Sequence, residues 1–238
     1  MRPLVLARSG WLVTLVALAV MMVTARLGFW QLERAQQKQS VGQQRQQQRA
    51  LAPLTEASAE AWQTSDNARR VQLRGQWLDA HTVYLDNRQM QGQPGFFVIT
   101  PLQISAQRAV VVQRGWVPRD FTQRTALPPV APEPGLVLVS GEIALPPSAL
   151  LALGAEGRTR LRQNLDWQDY QRQVGLQLGE VSVRQTGAPQ GVLQRDWYRP
   201  DDKISMHHGY AFQWFGLSLL TALWYGWFYV RARIKRAS

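Results

Sequence analysis

Cysteine is absent from the 238 residues. That absence excludes disulfides, covalent haem attachment through C-x-x-C-H, thiolate copper sites and zinc ribbons, so any metal chemistry falls to histidine, methionine or oxygen ligands. Histidine is scarce, with three in the chain: His81, His207 and His208. There is no Gly-rich phosphate loop, nucleophile elbow or H-E-x-x-H, and spacing nominates no general acid or base. The chain is therefore expected not to be an enzyme. Acids are outnumbered, 16 against 27 Lys and Arg, for a formal charge of +11. Seven of the cations flank two apolar runs (Arg2, Arg8, Arg26, Arg231, Arg233, Lys235, Arg236), so the stretch between carries 20 − 16 = +4. Most of the excess marks membrane topology. With no basic stripe of stacking aromatics in the interior, no nucleic acid is expected as a partner.

Long apolar runs are what the chain does have. Gly209 to Val230 supplies about 22 uncharged residues, enough for a helix to cross a bilayer core of about 30 Å. Arg231, Arg233, Lys235 and Arg236 close it as a stop-transfer cluster that stays in the cytoplasm. His207 and His208 then stand at the outer boundary, where an ionisable or metal-binding side chain marks a candidate functional site. The alternative is a pair of interfacial polar residues capping a helix. Between Arg8 and Arg26 lies a second run of roughly 17 uncharged residues, short for a span. It reads either as a cleaved signal peptide, with Val23-Thr24-Ala25 as the cleavage pattern, or as a retained anchor lengthened by L-G-F-W-Q-L while Arg26 snorkels. The retained anchor is favoured, because the apolar stretch exceeds a usual signal h-region. Two spans put both termini in the cytoplasm.

The middle of the chain is long enough for one domain with its own core. Gln31 to Leu51 is rich in Gln, Arg and Lys and reads as a solvated continuation of the first helix, or as low-complexity disorder. Pro53 ends it. From Arg70 the period becomes two, in V-Q-L-R-G-Q-W-L, T-V-Y-L-D-N-R, G-F-F-V-I-T-P-L, R-A-V-V-V-Q-R-G-W-V-P and G-L-V-L-V-S-G-E-I-A-L. Such runs between Gly, Pro and Asn turns predict an antiparallel sheet or partly closed barrel. Pro128 to Pro134 reads as an extended loop, Asp166 to Val174 as a short helix capped by Gly175, and L-G-E-V-S-V-R-Q as a late strand. His81 reads as a surface turn residue and the Asp201–Asp202 pair as solvated. The expected organisation is a transmembrane helix over 9–30, a polar helical stalk over 31–52, a mainly β exported domain over 53–206, a second transmembrane helix over 207–230 and a basic cytoplasmic tail over 231–238. The class is a membrane protein, α+β, with two transmembrane helices flanking a mainly antiparallel β domain.

Four blocks, in order, resemble the surfeit locus protein (Surf-type) assembly factors of cytochrome c oxidase. After the first run, Leu27-Gly28-Phe29-Trp30-Gln31-Leu32-Glu33-Arg34 with Lys38 is similar to L-G-x-W-Q-x-x-R. Gly75-Gln76-Trp77, Asn87-Arg88 and Gly95 to Leu102 resemble the family's strand motifs. Val112-Gln113-Arg114-Gly115-Trp116-Val117-Pro118 resembles V-N-R-G-W-V-P, with Gln113 where Asn is common. His207-His208-Gly209-Tyr210-Ala211-Phe212-Gln213-Trp214-Phe215 is similar to H-x-G-Y-A-x-Q-W-F and aligns His207 with the motif histidine. The approach, D-D-K-I-S-M, departs from the usual proline-containing segment.

The resemblance implies an assembly factor of the respiratory oxidase that holds haem A for insertion into the catalytic subunit. Its partners would be oxidase subunit I, other oxidase assembly proteins and the lipid bilayer. Its place would be the bacterial plasma (inner) membrane, as a multi-pass protein with the central domain periplasmic. His207 would be the iron ligand, with Tyr210, Trp214, Trp30 and Arg34 around the cofactor. His207, Tyr210, Ala211 and Trp214 share one helix face, Ala211 leaves room for a flat ring, and Arg26 or Arg34 would meet the propionates. The bland alternatives are that Trp30 and Trp214 are interfacial belt aromatics and the arginines flanking anchors. Two other classes stand beside this reading. One is a cofactor-free scaffold that stabilises an oxidase assembly intermediate, and the other a copper-delivery factor using Met206, His207 and His208.

Overall fold

A computed structural model of the chain describes residues 4–122, 127–147, 159–197 and 204–237. It divides into two compact units, Met1–Gln43 with Arg199–Ser238, and Gln44–Tyr198. The Asp201–Asp202 pair lies outside the described residues.

The first unit is built from α1 (Leu4–Ala50) as far as Gln43 and from α3 (Ile204–Ala237), the last turns of α1 belonging to the second unit. No proline interrupts α1, and its Gln- and Arg-rich second half consists of good helix formers, so one helix continues through the apolar run and the polar stretch beyond it. Pro53 follows three residues after its end, where proline disfavours further helix. Within α1, Trp11–Ala50 contains a window of mean hydropathy 2.1, and among the described residues it is the one helix long and apolar enough to cross a membrane.

The helices run antiparallel. Thr14 Oγ1 lies 2.7 Å from the Tyr225 hydroxyl, Ser218 Oγ donates to Met21 O at 3.2 Å, and Gln31 meets His207 at the other end. Among the covered positions, one line on α1 runs through Met21, Thr24, Gly28, Gln31, Ala35, Lys38 and Gly42, and one on α3 through His207, Ala211, Trp214, Ser218, Thr221 and Tyr225. Both sets step by alternating threes and fours, the spacing of a paired-helix seam. Small residues in the seam bring the backbones close. At Gly28 a Cβ would stand 2.7 Å from the Phe215 ring, and Phe29 packs edge-on against that ring at 5.1 Å.

The second unit contains β1 (Leu54–Thr55), β2 (Arg70–Trp77), β3 (Val83–Met90), β4 (Gln93–Gln103), β5 (Arg108–Pro118), β6 (Leu136–Ala144), β7 (Leu161–Arg162), α2 (Trp167–Val174) and β8 (Gln177–Gln185). Strand order is β1-β2-β6-β8-β5-β4-β3-β7, with β2 also paired to β4. That extra pairing, Gln76↔Gln103 and Trp77↔Leu102, closes β2, β6, β8, β5 and β4 into a ring. At the closure a Cβ on Gly75 would sit 2.4 Å from Gln103 O, so the strands approach only because this position has no side chain. Alternation along β2 turns Val71, Leu73 and Trp77 inward, where they join Leu102, Val110, Val112, Val139, Ile143, Val181 and Val183 in the core. A second cluster on the other face packs α2, through Tyr170 and Val174, against Val83, Leu85, Ile99 and Val111.

The sheet is mixed. Five pairings are antiparallel, but β1–β2, β3–β7 and β5–β8 are parallel. Antiparallel pairings predominate, as expected, and the departure lies at the centre, where β8 lies between β6 and β5 and runs with β5. Parallel neighbours cannot be joined by a tight hairpin, and here β8 is entered from α2 after the intervening strands. The helix itself starts with Asp166 accepting from Asp169 N and stops at Gly175, whose φ of +73° lets its N–H reach Gln171 O.

The signature block on β5 is largely architectural. Trp116 Nε1 donates to Arg88 O at 2.8 Å, and Gln113 Nε2 to Ser182 Oγ at 2.8 Å. Arg114, 1% exposed, stacks on Trp77 at 4.3 Å and pairs with Glu133 at 2.6 Å and Asp79 at 3.3 Å. Glu133 belongs to the proline-rich loop, which Tyr84 also holds by donating to Pro128 O. His81 sits in a 3₁₀ turn, Asp79–His81, and its carbonyl accepts from the Tyr170 hydroxyl.

Candidate functional site

The site is at the end of the first unit where α3 begins. His207 occupies the seam, and its Nδ1 lies 2.8 Å from Gln31 Oε1 on α1. A carbonyl oxygen only accepts, so Nδ1 carries the proton and donates, which leaves the lone pair on Nε2. This is the tautomer of a histidine ligand whose second nitrogen is fixed by a neighbour. His208, one residue on, is exposed. Adjacent helical positions diverge by about 100°, so the two imidazoles do not converge on one ion.

Two cations stand near. Arg34 and Lys38 are the side chains of α1 whose charges act on His207. Arg34 is exposed, lies 5.6 Å from the Trp30 ring centroid and donates to Gln37 Oε1 at 3.2 Å. Arg26 instead meets Glu33 at 3.7 Å, both largely exposed.

The helix-face argument is answered unevenly. His207, Ala211 and Trp214 do share the seam, and Ala211 is 2% exposed. Ala211 is thus covered between the helices. Tyr210, 46% exposed, and Trp30, 42% exposed, stand off the seam. The side chain missed from sequence is Gln31. It stands three residues after Gly28 in the quoted block, so the same helix face was legible, but its partner was not.

The donor set fits an axial haem ligand: one imidazole with Nε2 available, fixed through Nδ1, with guanidinium and ammonium groups at hand for carboxylates. Ala211 itself lies covered in the seam and presents no open surface.

Residues 18–219 match the SURF1 family. The chain is similar to Surfeit locus protein 1 of Arabidopsis thaliana, 32% identical over 116 residues, covering 43% of this chain and 33% of that protein. It is also similar to a SURF1-like protein of Rickettsia felis, 29% identical over 106 residues, covering 43% of this chain and 45% of that one. The chain thus spans less than half the length of the curated relatives it matches. With the family match extending over most of the sequence, from the apolar part of α1 to the middle of α3, this chain belongs to the SURF1 family.

Proposed function

We propose that this protein is a membrane-held assembly factor of cytochrome c oxidase that binds haem A through His207 and assists its insertion into subunit I. Family membership supports the assembly role. The single observation that carries the haem reading is the hydrogen bond between His207 Nδ1 and Gln31, which presents Nε2 as a ligand. Haem A, when bound, would supply an iron that accepts this imidazole and two propionates for cations. The chain's own part is to orient the imidazole with Gln31 and to offer Arg34 and Lys38 as charge partners. Trp30, Tyr210 and Trp214 supply aromatic surface nearby. Nothing here requires bond chemistry by the protein, so the role is binding rather than catalysis. A tether of this kind raises the effective concentration of cofactor beside its acceptor.

In this reading α1 and the apolar run of α3 from Gly209 both span the bacterial plasma membrane. The termini lie in the cytoplasm and the β unit in the periplasm, with other oxidase assembly proteins as further partners. Reporter fusions after Ser238 and at Gly135 should then report opposite sides, and the same side for both would refute the topology.

The burial of Ala211 favours a second reading, in which the helix pair is closed and the protein is a scaffold without cofactor. The visible spectrum of protein purified from haem A-producing cells separates the two. A haem band in the wild type that is lost in His207→Ala, with the variant still in the membrane, supports haem binding. A colourless wild type supports the scaffold.

A further inference from the structure

A second concentration of charge lies within the β unit, where the last turns of α1 meet β6 and β8. Arg49 grips Glu142, with Nη2 at 2.9 Å from Oε2 and Nε at 2.8 Å from Oε1. Glu142 is paired in register with Arg184 on β8 and with Arg70 on β2, so arginines flank it on both neighbouring strands. Arg45 lies one helical turn before Arg49 on the same half-buried face, with Gln48 between them. Arg184 is also half-buried and its guanidinium lies 5.2 Å from the Trp197 ring centroid.

The charges do not balance. Among the described residues, Arg45, Arg49 and Arg184 carry three positive charges against one neighbouring carboxylate, Glu142, giving 3 − 1 = +2 before the exposed Arg70 is counted. Arg45 Nε, Arg49 Nε, Arg184 Nε, Gln48 Oε1 and Gln185 Oε1 are buried with no hydrogen-bond partner among the described residues, Arg49 Nε meeting Glu142 as an ion pair only. Burial holds the Arg184 pKa below the usual arginine value, and the charge of Arg45 acts in the same direction. Like charges one turn apart on a helix repel, and buried donors without acceptors are costly. Cations crowded in this way are stabilised by an anion that accepts from several of them at once.

We propose that Arg45, Arg49 and Arg184 form a binding site for a phosphate-class dianion. Guanidinium forks match the oxygens of a tetrahedral phosphate in bidentate fashion, and two negative charges would cancel the surplus. The Gln48 amide can turn its N–H₂ toward the same oxyanion. Glu142 keeps Arg49 in place and limits the site to one such group. The site is independent of His207.

The test uses the full chain in detergent and measures the unfolding midpoint and phosphate affinity, with inorganic phosphate compared against sodium chloride of equal ionic strength. Phosphate should raise the midpoint of the wild type beyond the chloride control. Arg45→Gln and Arg184→Gln should each weaken phosphate binding roughly tenfold or more, the worth of one charge-assisted hydrogen bond. Arg45→Gln, which removes a cation that has no ion pair among the described residues, should have an unliganded midpoint at or above that of the wild type, so lost binding there is not lost folding. A second arm places the protein in phosphatidylcholine nanodiscs with and without phosphatidic acid. A response to the lipid but not to free phosphate, abolished in both variants, supports the site with a headgroup as its source. No response to either, or responses equal in the wild type and both variants, would overturn the proposal.

Discussion

His207 Nδ1 and Gln31 Oε1 lie 2.8 Å apart although 176 residues separate them in the chain. The bond joins the first and last helices at the candidate site and sets which imidazole nitrogen keeps its lone pair free, the one that ligates in the proposed reading. Gln31→Leu should therefore lower haem affinity about 10- to 100-fold, the usual effect of removing the group that orients a ligating histidine. Gln31→Glu keeps an acceptor at the same reach and should retain binding. Haem titration followed by absorption checks both. Equal affinity in wild type and Gln31→Leu would remove Gln31 from the site.

Gly75 is where β2 and β4 close the ring. Because a Cβ there would meet the Gln103 carbonyl at 2.4 Å, backbone and not a movable side chain must give way. Gly75→Ala should destabilise the protein by about 1–3 kcal/mol, as overpacking does in well-packed interiors. Gly92, with nothing within 4 Å but a φ of +78°, provides a contrast. Gly92→Ala should be destabilising through backbone strain alone, while Gly92→Asn, which tolerates that conformation, should be milder. Denaturant midpoints of the three variants give the comparison.

Trp116 and Trp77 are both buried, but they differ in their indole N–H. Trp116 Nε1 donates to Arg88 O, whereas Trp77 Nε1 is buried without a partner among the described residues. Trp116→Phe removes that hydrogen bond to a buried carbonyl and should cost about 0.5–1.5 kcal/mol beyond lost packing. Trp77→Phe removes an unsatisfied donor and weakens only the stack on Arg114, so its penalty should be smaller. The opposite order in urea unfolding would contradict these assignments.

Burial pushes the Tyr170 phenol well above its ordinary value of 10.0, with Arg162 pulling the other way. In the unfolded chain the phenol ionises near pH 10, while in the fold it stays protonated. The unfolded state thus binds fewer protons than the native state above that pH, and the stability difference is fully present below it and falls as pH rises. The unfolding free energy should decline with pH above about 10, and Tyr170→Phe should flatten that slope. Tyr170→Phe should also lower stability at neutral pH by about 1 kcal/mol through the lost bond to His81 O. An unchanged slope in the variant would show that other groups carry the alkaline loss.

Local signals determined much of this protein. The proline-free run ending before Pro53 specifies the reach of α1, period-two alternation specifies β2, short apolar runs between turn residues specify β4 and β5, which are buried almost throughout, and Asp166 with Gly175 brackets α2, because caps, propensity and amphipathic period act over a few residues. The histidine and the aromatics near it were legible for the same reason. What only the tertiary structure decided are relationships across long stretches of chain. The parallel course of β8 beside β5, the closure of β2 on β4, and the burial of Ala211 in a helix seam depend on which surfaces meet, and no local pattern encodes a partner. Gln31 at His207 and Arg184 beside Arg45 and Arg49 belong to the same class. Each residue is unremarkable in its own segment, and its chemistry exists only where distant segments pack and water is withdrawn from charged or hydrogen-bonding groups.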